Sequence, residues 1–188
     1  MYSFKKEKIL DENGYEIMMD WETNLMQEHA KVVTENGGDI LEIGFGMGIC
    51  ANFIQQSNIN THTIIEMHDQ IFEKLLEWAK DKPNVIPIKG DWFDSIPKNK
   101  KYDGIMHDTW NEKNYNFLYQ IIPKLLNPKG IFTYYTPNTK RNLKLNAKSK
   151  YKWGSLSISE VKVHPPLKNM KYKYFTRTDY YVPKIVID

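Results

Sequence analysis

Two acidic residues flank a glycine-rich stretch in a way that suits a cationic ligand. Gly44, Gly46 and Gly48 follow the apolar run Asp39-Ile-Leu-Glu-Ile43. Glycines so placed let the backbone approach a ligand without Cβ obstruction. The dinucleotide fingerprint needs its third glycine or alanine one residue later, where this chain has Ile49. Glu42 stands two residues before the first glycine, and a carboxylate there would repel a pyrophosphate. It suits S-adenosylmethionine, whose ammonium and sulfonium groups are positive. Glu66 ends the next apolar run, His62-Thr-Ile-Ile-Glu66, where an acid can accept hydrogen bonds from both ribose hydroxyls. Asp91, Trp92 and Phe93 follow a third run, at the edge where an adenine would lie. Either ring could stack on the base, and Asp91 could meet its exocyclic amine. Each residue also has an ordinary reading: a ligand-free turn, a surface acid, or aromatics packed under a helix.

Strands alternating with helices must position these groups. A helix is expected over about Trp21 to Asn36, stopping at Gly37-Gly38. Strands are expected at 39–43, 62–66, 84–88, 102–107 and 131–135. Helices are expected from the glycine turn to about Gln56, from His68 to about Lys80, and over about Tyr115 to Leu126, the last ending at Asn127-Pro-Lys-Gly130. Such alternation predicts an α/β fold, a Rossmann-like doubly wound and mostly parallel sheet. Residues 137–154 are polar and basic with no clear helical face. Two strand-like runs follow, Ser155 to Val163 and Lys171 to Tyr181, joined through Pro165-Pro166 without a helix, so they should pair antiparallel. The expected sheet has seven strands in a single domain. Residues 1–37 would form an N-terminal lid and helix, 38–136 the cofactor-binding core, and 137–188 the basic loop and terminal strand pair.

Composition narrows the function classes. With 188 residues, 41% hydrophobic and 26% charged, the chain is sized for one globular core. Its longest apolar stretches are strand-sized, so no membrane partner is expected, and the first residues lack the apolar core of a secretory signal. Cys50 stands alone, which suits a reducing cytoplasm. The five histidines are scattered without metal-ligand spacing, so no metal is expected. The net charge is +3, and Lys140, Arg141, Lys144, Lys148, Lys150 and Lys152 crowd one stretch. That stretch reads as a solvated loop, and no nucleic-acid partner is expected despite residues 140–152 being basic. A monomer or a homodimer fits equally well.

Several motifs together carry a resemblance. Met18-Met-Asp-Trp-Glu-Thr23, Ile40-Leu-Glu-Ile-Gly-Phe-Gly-Met-Gly48, Thr63-Ile-Ile-Glu66, Val85-Ile-Pro-Ile-Lys-Gly90 and Tyr102-Asp-Gly-Ile-Met-His-Asp-Thr109 resemble guanidinoacetate N-methyltransferase and the related arginine N-methyltransferases. The likeness runs from about Ile17 to Tyr135, and its W-E-T and D-T elements are more specific than the glycine turn. It implies a class I methyltransferase moving a methyl group from S-adenosyl-L-methionine, with S-adenosyl-L-homocysteine as product, to a guanidino nitrogen of a small molecule. By the same resemblance Glu22 and Asp108 hold the guanidino group. Met18, Met26, Phe45, Gly46, Met47, Gly48, Ile49, Cys50, Glu66, Met67, His68, Trp92 and Phe93 would line the cofactor site. A guanidinium's pKa is roughly 12.5–13.8, so its nitrogens lack a free lone pair at neutral pH. Two carboxylates can grip its planar fork, aim one nitrogen at the methyl group and accept the departing proton. Taken alone, Glu22 reads as a first-turn carboxylate and Asp108 as a cap or loop acid. His107 reads as a histidine packed at a strand end.

The resemblance thins past Tyr135. In the family, backbone N–H groups after the fifth strand bind the acceptor's carboxylate. The matching positions are Pro137 and Asn138, and proline has no N–H to give. The basic stretch is expected to replace the family's next helix, and from it Lys140 or Arg141 could instead pair with that carboxylate. The aromatic residue of the family's longer N-terminal lid is also missing, and Tyr2 or Phe4 could substitute. Two alternatives stay open. One is transfer to arginine in a protein. The other is a non-enzymatic protein that binds S-adenosylmethionine or S-adenosylhomocysteine, for which Glu22 and Asp108 would be dispensable.

Overall fold

The computed structural model describes residues 2–109, 115–144, 154–164 and 177–187, with backbone alone at 115–119. The chain opens with three short strands, β1 (Ser3–Phe4), β2 (Lys8–Leu10) and β3 (Glu16–Met19), paired antiparallel as a separate small sheet. Strands of two to four residues carry too few periods for alternation to register, so the sequence does not announce this sheet. A single 3₁₀ turn, Asp20–Glu22, leads into α1 (Thr23–Val33), which starts two residues later and stops three earlier than expected. Gly37 and Gly38, at φ 62° and 78°, turn the chain into the main sheet.

That sheet contains β4 (Asp39–Ile43), β5 (Thr61–Glu66), β6 (Val85–Lys89), β7 (Tyr102–His107), β8 (Leu126–Tyr134), β9 (Gly154–Lys162) and β10 (Asp179–Ile187). Its seven strands run in the order β6-β5-β4-β7-β8-β10-β9. β4 to β8 are mutually parallel, whereas β10 pairs antiparallel with both β8 and β9. This is the class I methyltransferase arrangement of the doubly wound fold, as the alternating elements predict. Helices α2 (Ile49–Ile54), α3 (Asp69–Ala79), α4 (Trp92–Ser95) and α5 (Tyr115–Leu125) complete the alternation. One apolar cluster joins α1 and α2 to Ile40, Met106 and Val182 of the sheet. Another joins Ile122 and Leu125 of α5 to Leu41, Ile105 and Phe132. Leu41 follows Ile40 directly, so the pleat sends successive β4 residues to opposite helix layers.

Three boundaries differ from expectation. α2 ends at Ile54, not near Gln56, and β8 begins at Leu126, immediately after α5. The expected turn survives inside β8 as an irregularity, with Lys129 at φ 65° and a register shift against β7. The final strand lies at 179–187, about eight residues later than the run from Lys171, and residues 171–176 lie outside the described residues. Residues 140–144 are helical with Leu143 buried, so the segment after β8 does begin a helix. The polar sequence around Leu143 hid it. The rest of the basic stretch, from 145 to 153, lies outside the described residues. Among the described residues no helix is long and apolar enough to cross a membrane.

Candidate cofactor and acceptor site

The site forms where the sheet's winding reverses. The chain leaves β4 toward β5 on one side, while β7 pairs on β4's other side, so a crevice opens beyond the carboxyl ends of these two strands. Gly44 follows β4 and Asp108 follows β7, and Asp108 N donates to Ile43 O at 2.9 Å. A Cβ on Gly44 would drive into the Asp108 carbonyl oxygen, and its φ is 91°. That close approach is why only glycine fits there. Gly46 and Gly48 also have positive φ, and a Cβ at Gly46 would meet Met18 Sδ.

A cavity of about 630 Å³ fills the crevice. Its lining contains most of the residues expected from sequence: Met18, Met26, Glu42, Gly44, Phe45, Gly46, Cys50, Glu66, Met67, His68, Asp91, Trp92 and Phe93. Asp108 lines it too. Met47, Gly48 and Ile49 do not. Met47 and Ile49 pack on the core cluster beneath α1, and Gly48 backs onto the Phe45 ring. Met47 N donates to Met18 Sδ at 3.1 Å, and Ile49 begins α2.

Glu66 clasps the glycine turn. Its Oε2 accepts from Phe45 N at 3.0 Å and its Oε1 from His68 N at 2.7 Å. Each carboxylate oxygen has two lone pairs, so the pair retains acceptor capacity for a diol. Asp91 caps α4 by accepting from Phe93 N at 3.0 Å. Trp92 is buried edge-on against His107, whereas Phe93 is 47% exposed at the mouth. His107 itself packs at its strand end, outside the cavity lining. Tyr2 also reaches the cavity, with its ring stacked 3.5 Å from His68 and its N donating to Gln70 Oε1 at 2.8 Å. Phe4 lies elsewhere, under Lys74. Ile17, Ile43, Ile65, Ile71, Gly90 and Thr109 line the cavity as well. The isoleucines among them carry no chemical mark in the sequence that separates them from core residues.

The cavity's electrostatics favour cations. Glu42 is buried, with Oε2 2.9 Å from His62 Nε2. Burial pushes its carboxyl up, against the pull of His62 and the Cys50 thiol. Burial and the Glu42 charge raise Asp108 to about 7. Two buried acids near each other thus hold their protons more tightly than exposed carboxylates do, and a bound cation would favour their charged forms. The residues fit S-adenosylmethionine on three observations: a glycine cradle that a Cβ would fill, a single carboxylate ending β5 with acceptor capacity left, and an acidic floor. Among the described residues no group of three His, Cys, Asp or Glu could hold a metal ion.

Glu22 sits apart from the cavity lining. It is buried, and its Oε1 accepts from Met19 N at 2.9 Å, closing the 3₁₀ turn ahead of α1. It therefore does carry the helix-start role that its position suggests. It also faces the same group as Asp108. Burial raises the Tyr135 hydroxyl's pKa most, and the charges of Glu22 and Asp108, with Tyr180, raise it further. Tyr135 packs on the apolar cluster that contains Met18 and Met26, two residues of the cavity lining. Pro137 is exposed, and the Asn138 N–H donates to Thr136 Oγ1 at 3.1 Å, closing a local turn. Neither lines the cavity. Lys140 and Arg141 are exposed and likewise outside it.

Comparison with known proteins agrees with this geometry. A family model described as guanidinoacetate N-methyltransferase matches residues 3–174. A protein arginine N-methyltransferase 2 of Candida glabrata is 36% identical over 146 residues, covering 70% of this chain and 35% of that protein. One of Kluyveromyces lactis is 31% identical over 200 residues, covering 94% of this chain and 49% of that protein. The chain therefore spans half or less of the length of these relatives. Among solved structures, the N-methyltransferase NodS of Bradyrhizobium japonicum in complex with S-adenosyl-L-homocysteine superposes with a TM-score of 0.65 at 11% identity, covering 89% of this chain and 88% of that one. That likeness is one of fold. The seven-stranded sheet, the glycine cradle at its switch point and the match over residues 3–174 lead to one assignment: the chain belongs to the guanidinoacetate N-methyltransferase family, within the class I S-adenosylmethionine-dependent methyltransferases.

Proposed function

We propose that this protein is an S-adenosylmethionine-dependent N-methyltransferase acting on a guanidino nitrogen of a small molecule. The observation that carries the reading is Asp108 in the lining of the cofactor cavity, with Glu22 buried in the chain segment between Met18 and Met26, two further lining residues. When bound, S-adenosylmethionine supplies a methyl group made electrophilic by a positive sulfur. The chain's residues do the rest. The glycine turn and Glu66 would hold the nucleoside end, and Tyr2 and Phe93 would screen it from water. Glu42, backed by His62, keeps the floor negative where the cofactor's cationic end belongs.

Glu22 and Asp108 would grip the acceptor's guanidinium and orient one nitrogen. Its proton must leave as the new N–C bond forms, and Asp108 is the acceptor suited to it. A carboxyl held near 7 is far closer to matching a proton leaving at neutral pH than an ordinary aspartate is. A second reading, arginine in a protein as acceptor, is favoured by the relatives named protein arginine N-methyltransferase 2.

The test is a panel of guanidino compounds, together with arginine peptides and whole protein, incubated with enzyme and cofactor and read by mass spectrometry. A gain of 14 mass units on a small guanidine, the mass of one CH₂, is the expected result. Methylation of protein arginine alone would establish the second reading, and no methylation of any guanidine would refute both.

A further inference from the structure

A positive charge stands in the acceptor region that neither the glycine cradle nor the two acids explain. Arg177, two residues before β10, lays its guanidinium over the Tyr180 ring, with Cζ 5.3 Å from the centroid. Tyr180 packs 5.1 Å from Trp21, the residue next to Glu22. Arg177 also acts on Tyr135, where its charge opposes those of Glu22 and Asp108. Trp21 and Tyr180 share one apolar cluster with Met18 and Met26, which line the cavity, so Arg177 lies against that cluster behind the cavity wall. Its Nε and Nη2 are buried and have no hydrogen-bond partner among the described residues.

An arginine cannot escape such a position by losing its proton, so buried guanidinium N–H groups call for an acceptor. The neighbouring aromatic ring takes the flat face but leaves the in-plane donors unused. A cationic guanidine arriving at Glu22 and Asp108 would be repelled by this charge unless it brought a negative charge with it. A zwitterion satisfies both ends, its guanidinium toward the acids and its anion toward Arg177.

We propose that Arg177 is a specificity-determining residue that binds a carboxylate on the acceptor, so that guanidino acids are preferred to neutral guanidines. This rests on the guanidino reading above. It places the anion-binding group at the entry to β10, and not in the turn after β8, where Pro137 lacks an N–H and that of Asn138 is taken by Thr136.

The experiment compares guanidinoacetate with guanidinoacetamide, its neutral isostere, as acceptors for wild type, Arg177→Gln and Arg177→Lys. Wild type should show a kcat/KM at least about tenfold higher for the acid. Arg177→Gln should raise the KM of the acid about 10- to 100-fold, leaving the KM of the amide and the Kd of S-adenosylhomocysteine unchanged. Arg177→Lys, keeping charge but losing the fork, should recover part of the preference. Equal use of acid and amide by wild type would overturn the proposal while leaving the guanidino reading intact. So would an Arg177→Gln variant whose two KM values move together or not at all. Failure of wild type to methylate either compound, or any guanidine of the wider panel, would instead bring down the guanidino reading and this inference with it.

Discussion

Replacing Asp108 by asparagine is expected to lower kcat by about 10²- to 10⁴-fold while changing the Kd of S-adenosylhomocysteine far less. The amide keeps the side chain's shape and can still face a guanidine, but it cannot take a proton. The same substitution should stabilise the ligand-free protein at alkaline pH. Burial and the Glu42 charge hold the folded Asp108 carboxyl at about 7, above its unfolded value of roughly 3.9. Between those values the folded state binds more protons than the unfolded one, so Asp108 costs stability progressively as pH rises through that window. Asparagine has no charge to bury. The Tm difference between variant and wild type should therefore grow in the variant's favour from pH 5 to pH 8, read by thermal melts without cofactor. A group that lowers stability at working pH and is needed for turnover is placed for chemistry, not for folding. Glu22→Gln should show the turnover loss as well. Its amide oxygen can still accept from Met19 N, so the 3₁₀ turn ahead of α1 stays closed. Wild-type turnover in either variant would remove that residue from the reaction.

Gly44→Ala should abolish cofactor binding. Its φ of 91° is strained for any L residue, and its Cβ would enter the Asp108 carbonyl oxygen. A clash with backbone cannot be relieved by rotating a side chain. To relieve it, the ends of β4 and β7 must separate, and their approach forms the cavity floor. The Kd for S-adenosylhomocysteine should rise more than about 100-fold, or the protein should fail to fold. Gly14→Ala is the control. It shares a positive φ of 77° but has nothing within 4 Å of the added Cβ, so its cost should stay near 1 kcal/mol in thermal melts, with cofactor affinity unchanged. Similar cofactor affinities for the two variants would contradict the close approach.

The main sheet was legible because its strands are apolar runs punctuated by glycine, proline and charged helices. Asp39–Ile43, Thr61–Glu66 and Tyr102–His107 lie within a residue or so of where the pattern puts them. The three-stranded N-terminal sheet was not legible, since its pairing of Ile9 with Met18 depends on a turn and a bulge that leave no repeat. The cofactor residues that carry charge or glycine, Glu42, Gly44, Glu66 and Asp108, could be read because their chemistry is rare at strand ends. Met47 and Ile49 lie in the motif yet pack on the core cluster, because the motif spacing does not say which way an apolar side chain turns. Arg177 escaped notice because it is one of many basic residues in a chain with 26 lysines and arginines. Only burial beside Tyr135 and Tyr180 distinguishes it from Lys140 and Arg141, which are exposed.

The central claim is that one acid ahead of α1 and another after β7 hold the same guanidino group beside the methyl donor. A crystal structure of the protein with S-adenosylhomocysteine and a guanidino acid tests it most directly. The account predicts carboxylate oxygens of Glu22 and Asp108 within about 3 Å of guanidino nitrogens, one of which points at the cofactor sulfur. An acceptor bound elsewhere, or carboxylates turned away from it while the cofactor occupies the glycine cradle, would contradict the account.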